Sequence, residues 1–258
     1  MSKRIILFPG LSGTATEVAP LRAALRPHHA VQVIQYPDWP ALRTMGKTEF
    51  LAACRAQIGS FDDVAFFGYS FGGLVALALV IEDLERDRGA ATPVIGLLDT
   101  PATPRYRQPL PAPFPVRLIR ALRERVWMDR LRHRLAQAMI RLEWPLVWAA
   151  RWLRQSELSL KLQGSLTWPI LEALQDRMDA IHAPLPIRAV LFRCIEQPSE
   201  VPADLGWNAL IQQVRVIPIP GDHHAITRPA YAPILAARIA ASDWLRPPAC
   251  VATRPKFH

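Results

Sequence analysis

The sequence is poor in cysteine, with three residues of this type among 258. Cys54, Cys194 and Cys250 are widely spaced, and no two of them form a C-x-x-C pair. An odd number of scattered cysteines is unlike a disulfide framework or a tetrahedral zinc site, so we expect reduced thiols. Long apolar runs are lacking as well. Arginine or glutamate interrupts each one before it reaches the roughly 18 residues of a membrane-spanning helix.

Targeting signals and repeats are also missing from the sequence. The first residues, MSKRIILFPG, contain a basic pair but too short an apolar run for a secretory signal, and they continue into a predicted core strand. We therefore expect an unprocessed, cytoplasmic protein. There is no internal repeat and no low-complexity tract. No nucleic-acid-binding motif accompanies the basic charge, so a nucleic-acid partner is not expected.

Proline and positive charge are abundant by contrast. The chain has 25 prolines, about twice the average usage, and a formal net charge of +9. The charge is concentrated in one segment, because residues 101–161 hold thirteen basic and four acidic side chains. The net charge of this segment, thirteen minus four, is +9 and equals that of the whole chain.

Six short runs rich in β-branched and aromatic residues predict strands. They are RIILF, VQVIQY, VAFFGY, PVIGLLD, IRAVLF and VRVIPI. Helical periodicity lies between most of them, over Glu17–Leu25, Ala41–Ile58 and Leu74–Leu84. This alternation predicts an α/β fold with a mainly parallel sheet covered by helices on both faces. Ligands of such sheets bind outside the carboxyl ends of the strands.

The alternation is interrupted for almost ninety residues between Asp99 and Ile187. Leucines with helical spacing, interleaved with arginines, predict amphipathic helices there. We interpret this segment as a helical lid above the sheet. The predicted organisation is a single core domain formed by 1–100 and 186–246, a lid over 101–185 and a flexible tail over 247–258.

The pattern G-x-S-x-G occurs at Gly68-Tyr69-Ser70-Phe71-Gly72, between an apolar strand and a helix. In this context it is typical of a nucleophile elbow, in which a strained turn presents the serine hydroxyl to a cleft. A side chain at position 68 or 72 would collide with the neighbouring strand or helix. The alternative is an ordinary strand–helix turn with an incidental serine.

A nucleophilic serine needs a base and an oriented acid. In this type of site the partners follow in the order serine, acid, histidine, each at a strand end. Asp99 ends the strand VIGLLD, and His223 and His224 follow the last strand. Glu196, after the strand IRAVLF, is the alternative acid.

Taken together, these motifs resemble the thioesterase family of the α/β-hydrolase fold, which releases chains from polyketide and nonribosomal peptide assembly lines. The resemblance covers most of the chain and rests on LFPGLSG, APLRAAL, GYSFGG, GLLDTPATP, AVLFR, DLGWNAL and PGDHHAI. It implies that His223, directly after Gly-Asp, is the base and that Asp99 is the acid. It also implies that His224 is a lid-facing or packing residue. We expect Asp222 to support the turn that presents His223, and its neighbourhood makes it a lesser candidate for the acid.

The resemblance further implies an oxyanion hole made by the backbone N–H groups of Phe71 and Leu11. The loop FPGLSG departs here from the commoner His-Pro-Gly-Gly pattern. No metal site is expected, because adjacent histidines point in different directions and no cysteine or carboxylate cluster has suitable spacing. No cofactor is implied either, since the substrate itself carries phosphopantetheine.

The implied reaction is release of an acyl, polyketide or peptidyl chain through an acyl-Ser70 intermediate, by hydrolysis or cyclisation. The chain lacks the Asp-Ser-Leu motif of a carrier, so a carrier protein supplied in trans is the expected partner. Arg117, Arg120, Arg123 and Arg125 are candidates to contact it. The alternatives are an acyl-coenzyme A thioesterase, a carboxylesterase or lipase, and a non-catalytic protein whose basic lid contacts a carrier or, transiently, a membrane surface.

Overall fold

The computed structural model describes residues 3–42, 44–86, 94–102, 170–196 and 201–242. Strands and helices alternate along these ranges, as the hydrophobic pattern predicts. The strands are β1 (Arg4–Phe8), β2 (Val31–Val33), β3 (Val64–Tyr69), β4 (Val94–Leu98), β5 (Leu185–Cys194) and β6 (Ile211–Ile219). The helices are α1 (Ala19–Leu25), α2 (Trp39–Leu42), α3 (Lys47–Ile58), α4 (Phe71–Glu85), α5 (170–179) and α6 (Ala232–Ala240). Two short 3₁₀ turns, Trp207–Ala209 and His223–Thr227, flank β6.

The six strands form one sheet in the order β2-β1-β3-β4-β5-β6, and every neighbouring pair is parallel. The predicted α/β fold with a mainly parallel sheet is therefore confirmed. Because all strands run the same way, the residues that follow β1, β3, β4, β5 and β6 lie along one edge of the sheet. This edge carries the functional candidates.

Helices cover both faces of the sheet, as expected for an all-parallel sheet. On one face, α3, α4 and α5 pack against Ile6, Phe8 and Phe66 of the strands. On the other face, α1 and α6 pack against the alternate strand residues, including Leu7 and Phe67. Alternate side chains of β1 and β3 therefore point to opposite faces of the sheet and belong to two separate hydrophobic cores.

Helix α4 is the most deeply buried helix of the described residues. Every residue from Phe71 to Ile81 is buried, and polar side chains begin only with Glu82. A helix that is apolar all round must lie inside the protein. This burial fixes the position of its first turn, which directly follows Ser70.

One predicted strand is clearly shorter in the structure, and one predicted helix is divided. The strand VQVIQY pairs only over Val31–Val33, because the backbone N–H of Tyr36 leaves the ladder and donates to the carbonyl oxygen of Gly13 at 3.2 Å. The helix predicted over Ala41–Ile58 is split before Gly46, whose N–H donates to Glu49 at 2.7 Å and starts α3. In both places a local turn displaces the regular hydrogen bonds.

Most of the predicted lid and the predicted tail lie outside the described residues, so the domain boundaries stay predictions. Within the predicted lid range, α5 is helical and buries Ile170, Leu171, Leu174 and Met178 against the core. In the described part of the chain, no helix combines the length and the apolar character needed to cross a bilayer.

Candidate active site

Ser70 occupies a strained turn between β3 and α4. Its backbone has φ 52° and ψ −115°, a combination that non-glycine residues rarely adopt. The N–H of Ser70 donates to the carbonyl oxygen of Leu98 at 3.0 Å, and Ser70 is only 6% exposed. The serine is therefore held at the ends of β3 and β4 by backbone constraints from both strands.

The two glycines of the motif are required by close packing. A β-carbon on Gly68 would overlap the backbone of Gly72 and Gly73, and one on Gly72 would overlap the carbonyl oxygens of Phe8 and Pro9. These collisions confirm the steric argument made from the motif. The first turn of α4 consequently lies directly against the loop that follows β1.

Asp99 follows β4 and is bonded to His223, which follows β6. Nδ1 of His223 lies 2.6 Å from Oδ2 of Asp99, and the other oxygen, Oδ1, accepts the backbone N–H of Cys194 at 2.9 Å. The Asp99 side chain is fully buried, whereas the His223 side chain is 31% exposed. A buried carboxylate with both oxygens bonded fixes the tautomer and orientation of the imidazole that it contacts.

Tyr69 connects this pair to the serine turn. Its ring stacks on that of His223, with 5.1 Å between centroids and 28° between planes. Its hydroxyl also donates to the carbonyl oxygen of His223 at 3.3 Å. Because Tyr69 directly precedes Ser70, and Ser70 is bonded to the residue before Asp99, the three predicted side chains come from one cluster of strand ends.

The second histidine is placed differently. His224 is exposed, and its ring meets that of His223 edge-on at 5.5 Å between centroids. Desolvation and the neighbouring His223 lower the pKa of His224 below its usual value. Most of the predicted lid lies outside the described residues, so the lid-facing role of His224 stays a prediction.

The two lesser acid candidates do not contact His223 through any described hydrogen bond. Glu196 is exposed, and its backbone N–H donates to Gly221 at 3.1 Å. Asp222 bonds the guanidinium of Arg228 at 3.0 Å and accepts the N–H of Ala225 at 2.9 Å through its backbone oxygen. Desolvation raises the pKa of Asp222, but the charge and hydrogen bond of Arg228 lower it, and the net shift is downward. These bonds agree with the role in the turn that the sequence implies.

Sequence reasoning missed Glu17, which lies beside the loop after β1. Its Oε2 accepts the backbone N–H of Gly10 at 2.8 Å and the hydroxyl of Ser12 at 2.6 Å. Burial raises the pKa of Glu17, against the lowering effect of these two hydrogen bonds and of His223. The sequence signal is weak: a single acidic residue follows a run of small polar ones. Leu11 lies in this loop, partly buried against the core.

A second contact missed in the sequence is made by Trp207. Its indole N–H donates to the carbonyl oxygen of Thr100 at 2.6 Å, and the hydroxyl of Thr100 donates to Gly68 at 3.2 Å. Trp207 is fully buried. The segment that carries Asp99 is thus tied to both the serine turn and the loop before β6.

Arg117, Arg120, Arg123 and Arg125 lie outside the described residues, so their role stays a prediction. Among the residues that the structure does describe, no group of three or more histidine, cysteine, aspartate or glutamate side chains is arranged to hold a metal ion. Cys54 and Cys194 are buried free thiols.

Comparison with known proteins gives one family and many structures. Residues 3–123 match the thioesterase domain family. Among curated proteins, none matches the chain significantly.

Three solved structures illustrate the structural likeness. The Vlm2 thioesterase domain, bound with a dodecadepsipeptide, is 22% identical with a TM-score of 0.56 and covers 92% of this chain and 95% of its own. RedJ, a thioesterase from the prodiginine pathway of Streptomyces coelicolor, is 18% identical with a TM-score of 0.56 over 92% of this chain and 85% of its own. AB3403, a four-domain nonribosomal peptide synthetase, is 18% identical with a TM-score of 0.61 over 95% of this chain and 19% of its own.

At these identities the solved structures show the fold alone, and the family match covers residues 3–123, somewhat less than half of the chain. Both agree with the resemblance read from the motifs. Residues 3–123 match the thioesterase domain family, and the described chain has the α/β-hydrolase fold of solved thioesterase domains.

Proposed function

We propose that this protein is a serine thioesterase that releases an acyl, polyketide or peptidyl chain from the phosphopantetheine arm of a carrier protein. The observation that carries the proposal is the 2.6 Å bond between Asp99 and His223 beside the strained turn of Ser70. A serine, a histidine and a buried carboxylate at neighbouring strand ends are the groups that nucleophilic acyl transfer requires.

In the first half-reaction, His223 takes the proton of the Ser70 hydroxyl as the oxygen attacks the thioester carbonyl. The oxygen of the tetrahedral intermediate carries negative charge, which the N–H groups of Phe71 and Leu11 stabilise. Collapse of the intermediate breaks the carbon–sulfur bond, and His223 returns the proton to the departing thiolate. The chain is then held as an ester on Ser70.

In the second half-reaction, water or a nucleophile within the chain attacks the ester. His223 takes the proton of the attacking group and gives it back to Ser70, so the enzyme is restored. Water yields a free acid, and an internal hydroxyl or amine yields a ring. Asp99 stabilises the imidazolium in both halves and keeps Nδ1 protonated, which leaves the other ring nitrogen to exchange protons with Ser70.

The substrate class is supported by the structural relatives. Vlm2 thioesterase domain structures are described with a dodecadepsipeptide and with a tetradepsipeptide, and AB3403 is a nonribosomal peptide synthetase. We propose that a carrier protein supplied in trans delivers the chain and that Arg117, Arg120, Arg123 and Arg125 contact its phosphate or acidic surface. The expected cytoplasmic location is part of this proposal.

The proposal is tested with an acyl N-acetylcysteamine thioester, which imitates the end of a phosphopantetheine arm, and with the matching ethyl ester. We expect hydrolysis of the thioester and, when the reaction is quenched early, a mass increase on the peptide containing Ser70. Ser70→Ala is expected to lose the adduct and to lower kcat by about 10³-fold or more.

Two outcomes would reject the proposal. Much faster turnover of the ethyl ester would favour a carboxylesterase or lipase. Equal turnover by wild type and Ser70→Ala would exclude catalysis by this serine. A faster reaction with an acyl-coenzyme A than with the same acyl chain on a carrier protein would reject only the carrier-bound substrate.

A further inference from the structure

The loop after β1 packs directly on the turn that presents Ser70. A β-carbon on Gly72 would overlap the carbonyl oxygen of Pro9, so no side chain separates the loop from the first turn of α4. Phe71 lies in that turn and Leu11 lies in the loop. Any displacement of the loop therefore changes the distance between the two backbone N–H groups that we assign to the oxyanion hole.

Glu17 binds the residues on both sides of Leu11. A single carboxylate oxygen, Oε2, accepts the N–H of Gly10 at 2.8 Å and the hydroxyl of Ser12 at 2.6 Å. The Glu17 side chain is partly buried. It binds the first and last residues of the segment Gly10–Ser12, and Gly10 lies seven positions before it in the sequence. Hydrogen bonds to a charged acceptor in such a setting are stronger than those between neutral groups.

The other carboxylate oxygen of Glu17 lies on the side of Gly10 that faces Tyr69. A β-carbon on Gly10 would lie 3.0 Å from Oε1 of Glu17 and 3.1 Å from the ring of Tyr69. Tyr69 in turn stacks on His223. Glu17 therefore lies near the proposed catalytic base but is joined by described hydrogen bonds only to the loop.

The ends of the loop are held independently of Glu17. The hydroxyl of Tyr36 donates to the carbonyl oxygen of Pro9 at 2.7 Å. Gly13 has φ +66°, and a β-carbon there would lie 2.7 Å from the ring of Tyr36. Between these two anchors, Glu17 binds both Gly10 and Ser12, and the hydroxyl of Ser12 also lies within hydrogen-bond distance, 3.3 Å, of the Thr14 hydroxyl.

We propose that Glu17 is a positioning residue that holds the Gly10–Ser12 segment so that the N–H of Leu11 and that of Phe71 bind the same oxyanion. This inference rests on the proposed function, since it assigns Glu17 a role in the acyl transfer at Ser70. Glu17 does not touch the reacting atoms. It acts by fixing the position of the Leu11 N–H in the transition state. A displacement of such a group by about 1 Å costs roughly 10²-fold in rate.

The test compares Glu17→Ala with Glu17→Gln. Because one oxygen accepts both bonds, the amide oxygen of glutamine can accept them both, whereas alanine accepts neither. Glu49→Ala is the matched control, since Glu49 also accepts a glycine N–H, from Gly46 at 2.7 Å, at a helix start away from the site. Each variant is assayed for kcat and KM with the N-acetylcysteamine thioester, for affinity toward an alkyl boronic acid that forms a tetrahedral adduct with serine, and for Tm.

We expect Glu17→Ala to lower kcat by about 10- to 100-fold and boronic acid affinity by a similar factor, with KM changed less than about 3-fold, because the loss is confined to the oxyanion. Glu17→Gln is expected to recover most of both values. Glu49→Ala is expected to lower Tm and leave kcat of the folded protein unchanged. If Glu17→Ala does not fold, Ser12→Ala replaces it, with an expected loss of about 3- to 10-fold in kcat.

The inference is overturned if Glu17→Ala, or Ser12→Ala in its place, keeps wild-type kcat. It is also overturned if glutamine restores no more than alanine. Either result with an active wild type leaves the proposed function intact. A wild type that neither hydrolyses the thioester nor forms an adduct on Ser70 rejects the proposed function, and the role of Glu17 with it.

Discussion

The backbone N–H of Cys194 donates to Oδ1 of Asp99 at 2.9 Å, so the end of β5 fixes the carboxylate of the residue that follows β4. The remaining oxygen of Asp99 is directed to His223, which follows β6. Three consecutive strands of the sheet thus determine the orientation of one imidazole. This arrangement depends on the parallel register of the sheet, because only parallel strands bring these three ends to the same edge.

Asp99→Asn is expected to keep the fold and to lower kcat by about 10³- to 10⁴-fold, because an amide at this position stabilises the wrong tautomer of His223. Asp222→Asn is the matched control: Asp222 is adjacent to His223 in sequence but pairs with Arg228. Steady-state kinetics of both variants decide the assignment. A larger loss in Asp222→Asn would show that the acid has been misassigned.

His223→Ala is expected to lower kcat by about 10³-fold or more, while His224→Ala stays within about 5-fold of wild type. The reason is that His223 is bonded to the buried Asp99, whereas His224 is exposed and its ring meets that of His223 edge-on. The same thioester assay measures both. The reverse pattern would transfer the role of base to His224.

Gly72→Ala is expected to lower the free energy of unfolding by about 1–3 kcal/mol or more, because its β-carbon would overlap two backbone carbonyl oxygens. Urea unfolding followed by circular dichroism measures the change. Gly46→Ala serves for comparison, since a β-carbon there meets only the flexible end of Glu49 at 3.6 Å. Equal stabilities of the two variants would contradict the close packing of α4 on the loop after β1.

The stability of the protein is expected to depend on pH through Glu17. Burial raises the pKa of this carboxyl above its usual 4.5 in the folded state. Between the usual and the raised value the folded state binds more protons than the unfolded state, so the free energy of unfolding falls as pH rises. Glu17→Gln lacks this term, so the stability of wild type relative to the variant should decrease as pH rises above 4.5. An increase over that range would contradict the raised pKa.

The sequence was sufficient to predict the sheet and the serine turn, because each depends on a local pattern. Apolar runs predict the strands, and glycines mark the turn where a β-carbon cannot fit. The pairing of Asp99 with His223, which lie far apart in sequence, was predicted instead from the order of the strand ends and from the resemblance to thioesterases.

Contacts between distant segments could not be predicted in this way. Glu17 binding Gly10 and Ser12, and Trp207 binding Thr100, depend on how loops fold against one another, and no periodicity encodes that geometry. The early end of β2 has the same cause, since the backbone of Tyr36 binds the loop after β1 instead of the sheet.

The central claim is that Ser70 and His223 act as one unit, and a double-mutant comparison tests it most directly. The quantity to measure is kcat/KM for thioester hydrolysis by Ser70→Ala, His223→Ala and the double variant. Our account predicts that the double variant is within about 3-fold of either single variant, because removing one partner already disables the other. Losses that multiply in the double variant would contradict it, since they would show that the two side chains contribute independently.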